Sequence, residues 1–182
     1  MGIKRLPKGL LLHTLPWLLI LIIGVALGFI FFNQAYPWLH PLVQSTTALA
    51  EPPKMISTVS LPVYLLGLYF LKNSLVVLLC LLTARPSRGL FPVLVLIING
   101  LVLGFAAVLF HKKIGMAYGI FSLAILPHGI FEFGAICVAC ALGMQATATS
   151  NKLRNLWLPL TMILLAAIIE TFVSPLIIKH IW

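Results

Sequence analysis

Residues 90–110 of the chain read LFPVLVLIINGLVLGFAAVLF, a run of 21 residues without one charged side chain. A helix of about 20 apolar residues crosses the hydrocarbon core of a bilayer. Four further apolar stretches of similar or greater length occupy residues 15–32, 59–83, 114–144 and 156–178. The pattern predicts an all-α membrane protein, built as a compact bundle of about five transmembrane helices.

The composition excludes a water-soluble domain. Hydrophobic residues make up 62% of the chain and charged residues 8%, whereas about a quarter of the residues in a soluble domain are charged. The 12 Lys and Arg residues outnumber the 3 acidic residues, which gives a net charge of +9. These basic residues lie in short clusters between the apolar runs, so we expect them to contact the lipid bilayer rather than nucleic acid.

The fourth apolar region, residues 114–144, is longer than one span requires and contains Pro127. Proline suits the first turn of a helix and disrupts a helix interior. We therefore predict a short entering helix over residues 116–125, a break, and a spanning helix over residues 127–144. The fourth span would then follow a broken or re-entrant segment.

One sizeable connection, residues 33–58, separates the first two spans and is rich in proline. Prolines restrict the backbone to extended or turn conformations, so this segment is predicted to be an outer loop. Tyr36 and Trp38 within it suit a membrane interface. Residues 1–182 are interpreted as a single membrane domain.

The basic residues predict the orientation of the chain in the cell membrane. Loops rich in Lys and Arg favour the cytoplasm. A cytoplasmic N-terminus and an outer C-terminus put seven basic residues inside and four outside. The inner set is Lys4, Arg5, Lys8, Arg85, Arg88, Lys152 and Arg154, and the outer set is Lys54, Lys112, Lys113 and Lys179.

Several polar side chains lie where only lipid or protein can surround them. An ionisable residue at membrane depth costs roughly 2.5 kcal/mol or more, so such residues normally find partners and often mark function. We predict a buried polar network, which could hold helices together or could form a proton or ion relay. Its members are Lys72, Asn73, Asn99, His128, Glu132 and Glu170.

The sequence does not favour an enzymatic function. It contains no His-Glu-x-x-His motif, no Gly-x-Ser-x-Gly motif and no Asp. One His and two Glu could bind a metal, but their spacing does not specify one, so no metal and no cofactor are predicted. Cys137 and Cys140 have the spacing of a redox or zinc pair, yet they are interpreted as small packing residues in an apolar helix.

Glycine pairs four residues apart allow helices to approach closely in a membrane. Three such pairs predict close packing between helices, and one exposed glycine pair could mediate a homodimer. The pairs are Gly24 with Gly28, Gly100 with Gly104, and Gly115 with Gly119.

Four blocks of sequence together resemble the stage II sporulation protein M family. The most specific is residues 126–132, LPHGIFE, and the order and spacing of all four are similar to the family's over about residues 60–175. Family members often carry Pro where this chain has Gly134 before Ala135. The other three blocks are KNS at residues 72–74, INGLVLG at residues 98–104 and ETFVSP at residues 170–175.

The resemblance implies a multi-spanning membrane protein without known catalytic activity. In endospore formers the namesake nucleates a complex with two peptidoglycan-degrading partners during engulfment. We therefore expect a scaffold that recruits other membrane or envelope proteins, and the resemblance suggests cell-wall hydrolases among them. The alternative is the permease subunit of a transporter, in which Lys72, Glu132 and Glu170 line an ion path. A membrane-embedded metalloenzyme ranks third.

Overall fold

The computed structural model describes residues 9–50, 61–145 and 155–181. Seven α-helices and one short π-helix cover these ranges. They are α1 (Leu10–Ile30), α2 (Phe32–Ala50), α3 (Leu61–Thr83), α4 (Leu90–Ile114), α5 (Tyr118–Gln145), α6 (Trp157–Ile168), the π-helix Ile169–Val173, and α7 (Ser174–Ile181). The last three elements follow one another without a gap.

Five helical stretches are long and apolar enough to cross a membrane, which confirms the predicted helical bundle. They are Leu10–Ile30, Leu61–Thr83, Leu90–Lys113, Tyr118–Gln145 and Trp157–Ile177. Large apolar side chains on their outer faces remain uncovered: Leu11 is 81% exposed and Leu90 is 74% exposed. Side chains of this kind are compatible with lipid and unfavourable in water.

The closest approach between helices joins α1 to α4. A side-chain carbon on Gly24 would lie 2.6 Å from the Ile97 carbonyl oxygen, and one on Gly100 would overlap the Leu21 carbonyl oxygen. Gly28 and Gly104 lie against the partner backbone in the same way. The two glycine pairs therefore face each other, as helix association in lipid by close backbone packing requires.

Helix α5 lies at the centre of the bundle and contacts α1, α3, α4, α6 and α7. Its second half is almost fully buried because small residues alternate with larger ones, including Ala139 and Gly143. A side-chain carbon on Gly143 would lie 2.8 Å from the Cβ of Ala84. Cys80, Cys137 and Cys140 are free thiols buried in this core.

The predicted break at Pro127 is wrong, since α5 runs continuously through that residue. Its 28 residues would extend about 42 Å, enough to cross the bilayer and both headgroup layers. Proline is tolerated inside membrane helices because neighbouring groups satisfy the backbone positions it frees. The separate entering helix over residues 116–125 is therefore the first part of α5.

The predicted outer loop is also wrong in its first part, since α2 covers Phe32–Ala50 with Pro37 and Pro41 inside it. Tertiary contacts hold this helix on α4. The Phe32 and Phe105 rings stack with their centres 4.8 Å apart, and the centres of the Tyr36 and Phe105 rings lie 6.0 Å apart. These contacts outweigh the preference of the prolines for extended or turn conformations. The predicted loop residues 51–58 lie outside the described residues.

The prediction that Gly115 and Gly119 pack helices together is wrong within the chain, and the homodimer stays a prediction. Gly115 ends α4 in the left-handed conformation, with φ of 76°, a position that favours glycine. A side-chain carbon on Gly119 would meet no neighbour within 4 Å. Gly115 therefore serves the turn between α4 and α5, and Gly119 lies in open space.

Replacing Gly28 with alanine tests the α1–α4 contact. The added methyl group would collide with the Leu101 carbonyl and the Phe105 amide, and overpacking of this kind costs about 1–3 kcal/mol. We expect Gly28→Ala to lower the free energy of unfolding in mixed micelles by that amount. Gly119→Ala is the matched control and should change it by less than about 1 kcal/mol. Equal effects from the two variants would contradict the packing described here.

Candidate functional site

Helix α5 supplies the two central side chains of the site. His128 and Glu132 lie one helical turn apart and so share a face. His128 is only 6% exposed, and Glu132 is partly buried. Both belong to α5, which is long and apolar enough to cross a membrane, and polar atoms at membrane depth need protein or water as partners.

The last helix, which is the continuous stretch Trp157–Ile177, brings its polar groups close to His128 and Glu132 through an irregular turn. Glu170 lies in the π-helix Ile169–Val173, and Ser174 follows it directly. π-helical turns are rare, frequently occur at functional sites and change the register of a helix locally. The Ser174 hydroxyl oxygen lies 3.0 Å from Nδ1 of His128, and both side chains are buried.

Three side chains converge at the centre of the site, and we call them the donor cluster: His128, Glu132 and Glu170. One donor atom from each, a ring nitrogen and two carboxylate oxygens, lies within 4.8 Å of the others. A histidine and two carboxylates can bind a cation, share protons or pair with a basic group. The fold therefore unites residues that are far apart in the sequence.

Lys72 lies beside the donor cluster and interacts electrostatically with both Glu132 and Glu170. It is exposed and lines a cavity of about 290 Å³ together with Asn99, His128 and Glu132. Most of the remaining lining residues belong to α4 and α5 and are apolar, such as Phe110 and Ile125. Side chains from three helices thus contribute the polar groups of an otherwise apolar cavity.

The two asparagines of the predicted network have different positions. Asn73 is buried on α3, with 5% exposure. Asn99 lines the cavity, but its side-chain amide donates to the Val95 carbonyl of its own helix at 2.8 Å. That bond satisfies a polar group within α4 and adds nothing to the attachment of one helix to another.

Sequence reasoning missed Ser174 as a member of the site. It lies four residues after Glu170, a spacing that puts two residues on one face of a helix. Tyr69, one turn before Lys72, was also missed and interacts electrostatically with Glu170. Two buried hydroxyls in the described part of the chain, those of Ser74 and Thr171, have no hydrogen-bond partner.

A second opening differs from this cavity in chemistry. It has a volume of about 490 Å³, lies between α1, α4 and α5, and is lined by apolar side chains such as Leu18, Phe29 and Ile130. An apolar groove on the outside of a bundle is compatible with lipid chains. The polar cavity, in contrast, contains groups that lipid penalises, so it is the better candidate for a specific function.

Residues 17–175, most of the chain, match the model of the family described as stage II sporulation protein M. The matched range includes His128, Glu132, Glu170 and Ser174. No curated protein and no solved structure matches the chain.

A double-mutant cycle tests the contact between α5 and the last helix. Polar contacts between membrane helices average about 0.6 kcal/mol and reach about 1.7 kcal/mol. We expect a coupling energy in this range between His128→Ala and Ser174→Ala, measured as free energies of unfolding. In the control cycle, His128→Ala is combined with Thr161→Ala, because the Thr161 hydroxyl bonds to the Trp157 carbonyl of its own helix. A coupling of zero in the first cycle would contradict the contact.

Proposed function

Since the chain belongs to the stage II sporulation protein M family, we propose that it is a non-enzymatic membrane scaffold that gathers partner proteins of the cell envelope into one complex. The chain is a multi-pass membrane protein of a sporulation family. The partners that the family resemblance suggests are cell-wall hydrolases. The missing catalytic motifs of the sequence support a role in assembly rather than in chemistry.

The observation that carries the proposal is the exposed face of α2. Its other face packs on α4: Phe32 belongs to the same buried cluster as Phe105, and Tyr36 and Leu39 pack against that cluster. Side chains three and four residues apart share a helical face. The opposite face is uncovered, with Trp38 81% exposed and Gln34, Pro37 and Pro41 exposed beside it.

The basic end of α4 fixes α2 further. The Lys112 ammonium lies 4.6 Å from the centre of the Phe32 ring, and the Lys113 ammonium lies 3.2 Å from Nε2 of His40. An anchored helix loses little conformational freedom on binding a partner. Exposed tryptophans are enriched among the residues that contribute most to protein interfaces. The Trp38 face is therefore our proposed docking surface.

The orientation predicted from the basic residues places this surface outside the cytoplasm, where cell-wall hydrolases act. With a cytoplasmic N-terminus, α1 leads outward and α2 follows it on the outer side. The end of α4, which α2 contacts, lies on that side as well. This topology is part of the proposal.

Photocrosslinking in the native membrane tests the scaffold. A photoreactive amino acid at position 38 should crosslink to an envelope protein, and the same amino acid at position 157 should not. Trp157 is a matched control because it is 54% exposed and opens a different helix. Trp38→Ala should reduce co-purification of the crosslinked protein by at least tenfold, since interface residues of this kind contribute about 2 kcal/mol or more.

Two results would contradict the scaffold. In the first, position 38 forms adducts with lipid alone, which would make Trp38 a membrane-interface anchor. In the second, the crosslinked protein remains in the complex and at its normal location in cells that lack the chain.

The polar cavity favours a second candidate, the permease subunit of a transporter. Lys72, His128 and Glu132 line an opening of about 290 Å³ within the membrane-spanning part of the chain. Ionisable residues that face a cavity at membrane depth frequently mark ion paths. In this candidate Lys72, Glu132 and Glu170 carry or gate the ion.

Ion flux into proteoliposomes tests the permease. If Glu132 carries the ion, Glu132→Gln should lower proton or sodium flux at least tenfold, because an amide cannot be ionised. Glu51→Gln removes the carboxylate that lies outside the spans and should leave the flux unchanged. A folded Glu132→Gln variant with normal flux, or wild-type protein without flux, would exclude this candidate.

A further inference from the structure

We propose that His128, Glu132 and Glu170 bind a divalent transition-metal ion, of which Zn²⁺ is the best match, inside the membrane. This site goes beyond the proposed scaffold, which does not require it. The geometric basis is the convergence of the three donor atoms within 4.8 Å of one another, from two helices that are joined at the same level by His128 and Ser174.

The donor set selects the class of metal. Imidazole suits zinc, copper, iron and nickel, and carboxylates complete many such sites. Calcium and magnesium prefer oxygen donors alone. One nitrogen and two carboxylate oxygens therefore favour a borderline ion such as Zn²⁺, with a fourth position left for water.

Binding of a zinc ion requires only a small movement of the three donor atoms towards one another. Bonds of about 2.0–2.2 Å to a tetrahedral zinc ion put the donor atoms about 3.4 Å apart. The donor atoms of the cluster lie within 4.8 Å of one another, so closing the site brings them together by about 1.4 Å at most. Glutamate side chains have three rotatable bonds and can supply this movement.

The contact between His128 and Ser174 supports the site independently. A histidine that binds a metal through one ring nitrogen almost always uses its other ring nitrogen in a hydrogen bond that orients the ring. Nδ1 of His128 lies 3.0 Å from the Ser174 hydroxyl, which leaves Nε2 for the metal. With the metal bound at Nε2, Nδ1 carries the proton and donates to that hydroxyl.

Charge and space also favour a bound cation. The carboxylates of Glu132 and Glu170 lie close together at membrane depth. Lys72 interacts electrostatically with both, but it is exposed and lines the cavity. A divalent ion between the carboxylates offsets the repulsion that the lysine leaves. His128 and Glu132 also line the polar cavity of about 290 Å³, which has room for the water that would occupy the fourth position.

The buried thiols are the main rival site for a soft metal. Cys80, Cys137 and Cys140 share the apolar core between α3 and α5, and the Cys80 and Cys140 thiols are hydrogen-bonded to each other. Thiolates bind zinc strongly, so any zinc that the protein takes up must be assigned to one cluster or the other by substitution.

Calorimetric titration with Zn²⁺ of the full chain in lipid nanodiscs, after removal of metal with a chelator, tests the proposal. We expect one saturable zinc ion per chain. Glu170→Gln and Glu132→Gln should each weaken binding at least tenfold. Cys140→Ala and His111→Gln should not alter it, because those residues lie outside the donor cluster. Titration with Co²⁺ should produce visible absorption bands that the glutamine variants lose.

Thermal unfolding separates loss of metal from loss of folding. Zinc should raise the unfolding temperature of the wild-type protein, because it binds the folded state alone, and should raise that of Glu170→Gln by less at the same zinc concentration. If the glutamate variants do not fold, Ser174→Ala provides the test. It keeps all three donors, and loss of such an outer hydrogen bond weakens metal affinity 10- to 100-fold.

Three results would overturn the proposal. The first is the absence of saturable zinc binding to the wild-type chain. The second is unchanged zinc affinity in folded Glu170→Gln or in Ser174→Ala. The third is binding that disappears in Cys140→Ala and persists in the glutamate variants, which would assign the zinc to the thiols.

Discussion

Polar groups at membrane depth have no bulk water to solvate them, and this constraint governs the centre of the molecule. A charged side chain there costs roughly 2.5–3.5 kcal/mol on insertion scales, so it must meet a partner or a cavity. The chain satisfies the constraint by bringing His128 and Glu132 of α5 against Glu170 and Ser174 of the last helix. Lys72 of α3 approaches from the cavity side. A polar contact thus joins α5 to the last helix, and Lys72 of α3 faces the same cavity.

Close packing elsewhere makes that meeting possible. The facing glycines of α1 and α4 allow the two backbones to touch, and the buried small residues of α5, with Gly143 against Ala84, draw α3 inward. Association of helices in lipid depends on this kind of backbone contact, because apolar side chains gain nothing from leaving lipid. A cavity remains between α3, α4 and α5. Closely packed parts of the bundle therefore lie beside a less densely packed polar region.

The sequence predicts the spans well because hydrophobic length is a strong and local signal. The stretches at residues 59–83 and 90–110 differ only slightly from the spans Leu61–Thr83 and Leu90–Lys113. Composition also singles out Lys72, His128, Glu132 and Glu170, since ionisable residues are rare inside apolar runs.

Predictions from local sequence fail where tertiary contacts override local preferences. Pro127 does not break α5, and Pro37 and Pro41 lie within α2 because aromatic side chains hold that helix on α4. The role of Gly115 in a turn and the π-helical turn at Glu170 depend on backbone conformation, which spacing alone does not reveal.

Glu132 and Glu170 meet inside the bundle, and the small number of carboxylates in the chain makes this meeting directly measurable. With Glu51 replaced by glutamine, labelling of glutamate side-chain carboxyl carbons with ¹³C marks these two positions alone. Because the donor oxygens lie within 4.8 Å of each other, the two carboxyl carbons should lie within about 7 Å. Dipolar recoupling by solid-state NMR in lipid bilayers would then show a clear coupling between the two carbons. No coupling in a folded sample would mean that the two carboxylates point to separate surroundings, and it would contradict the account.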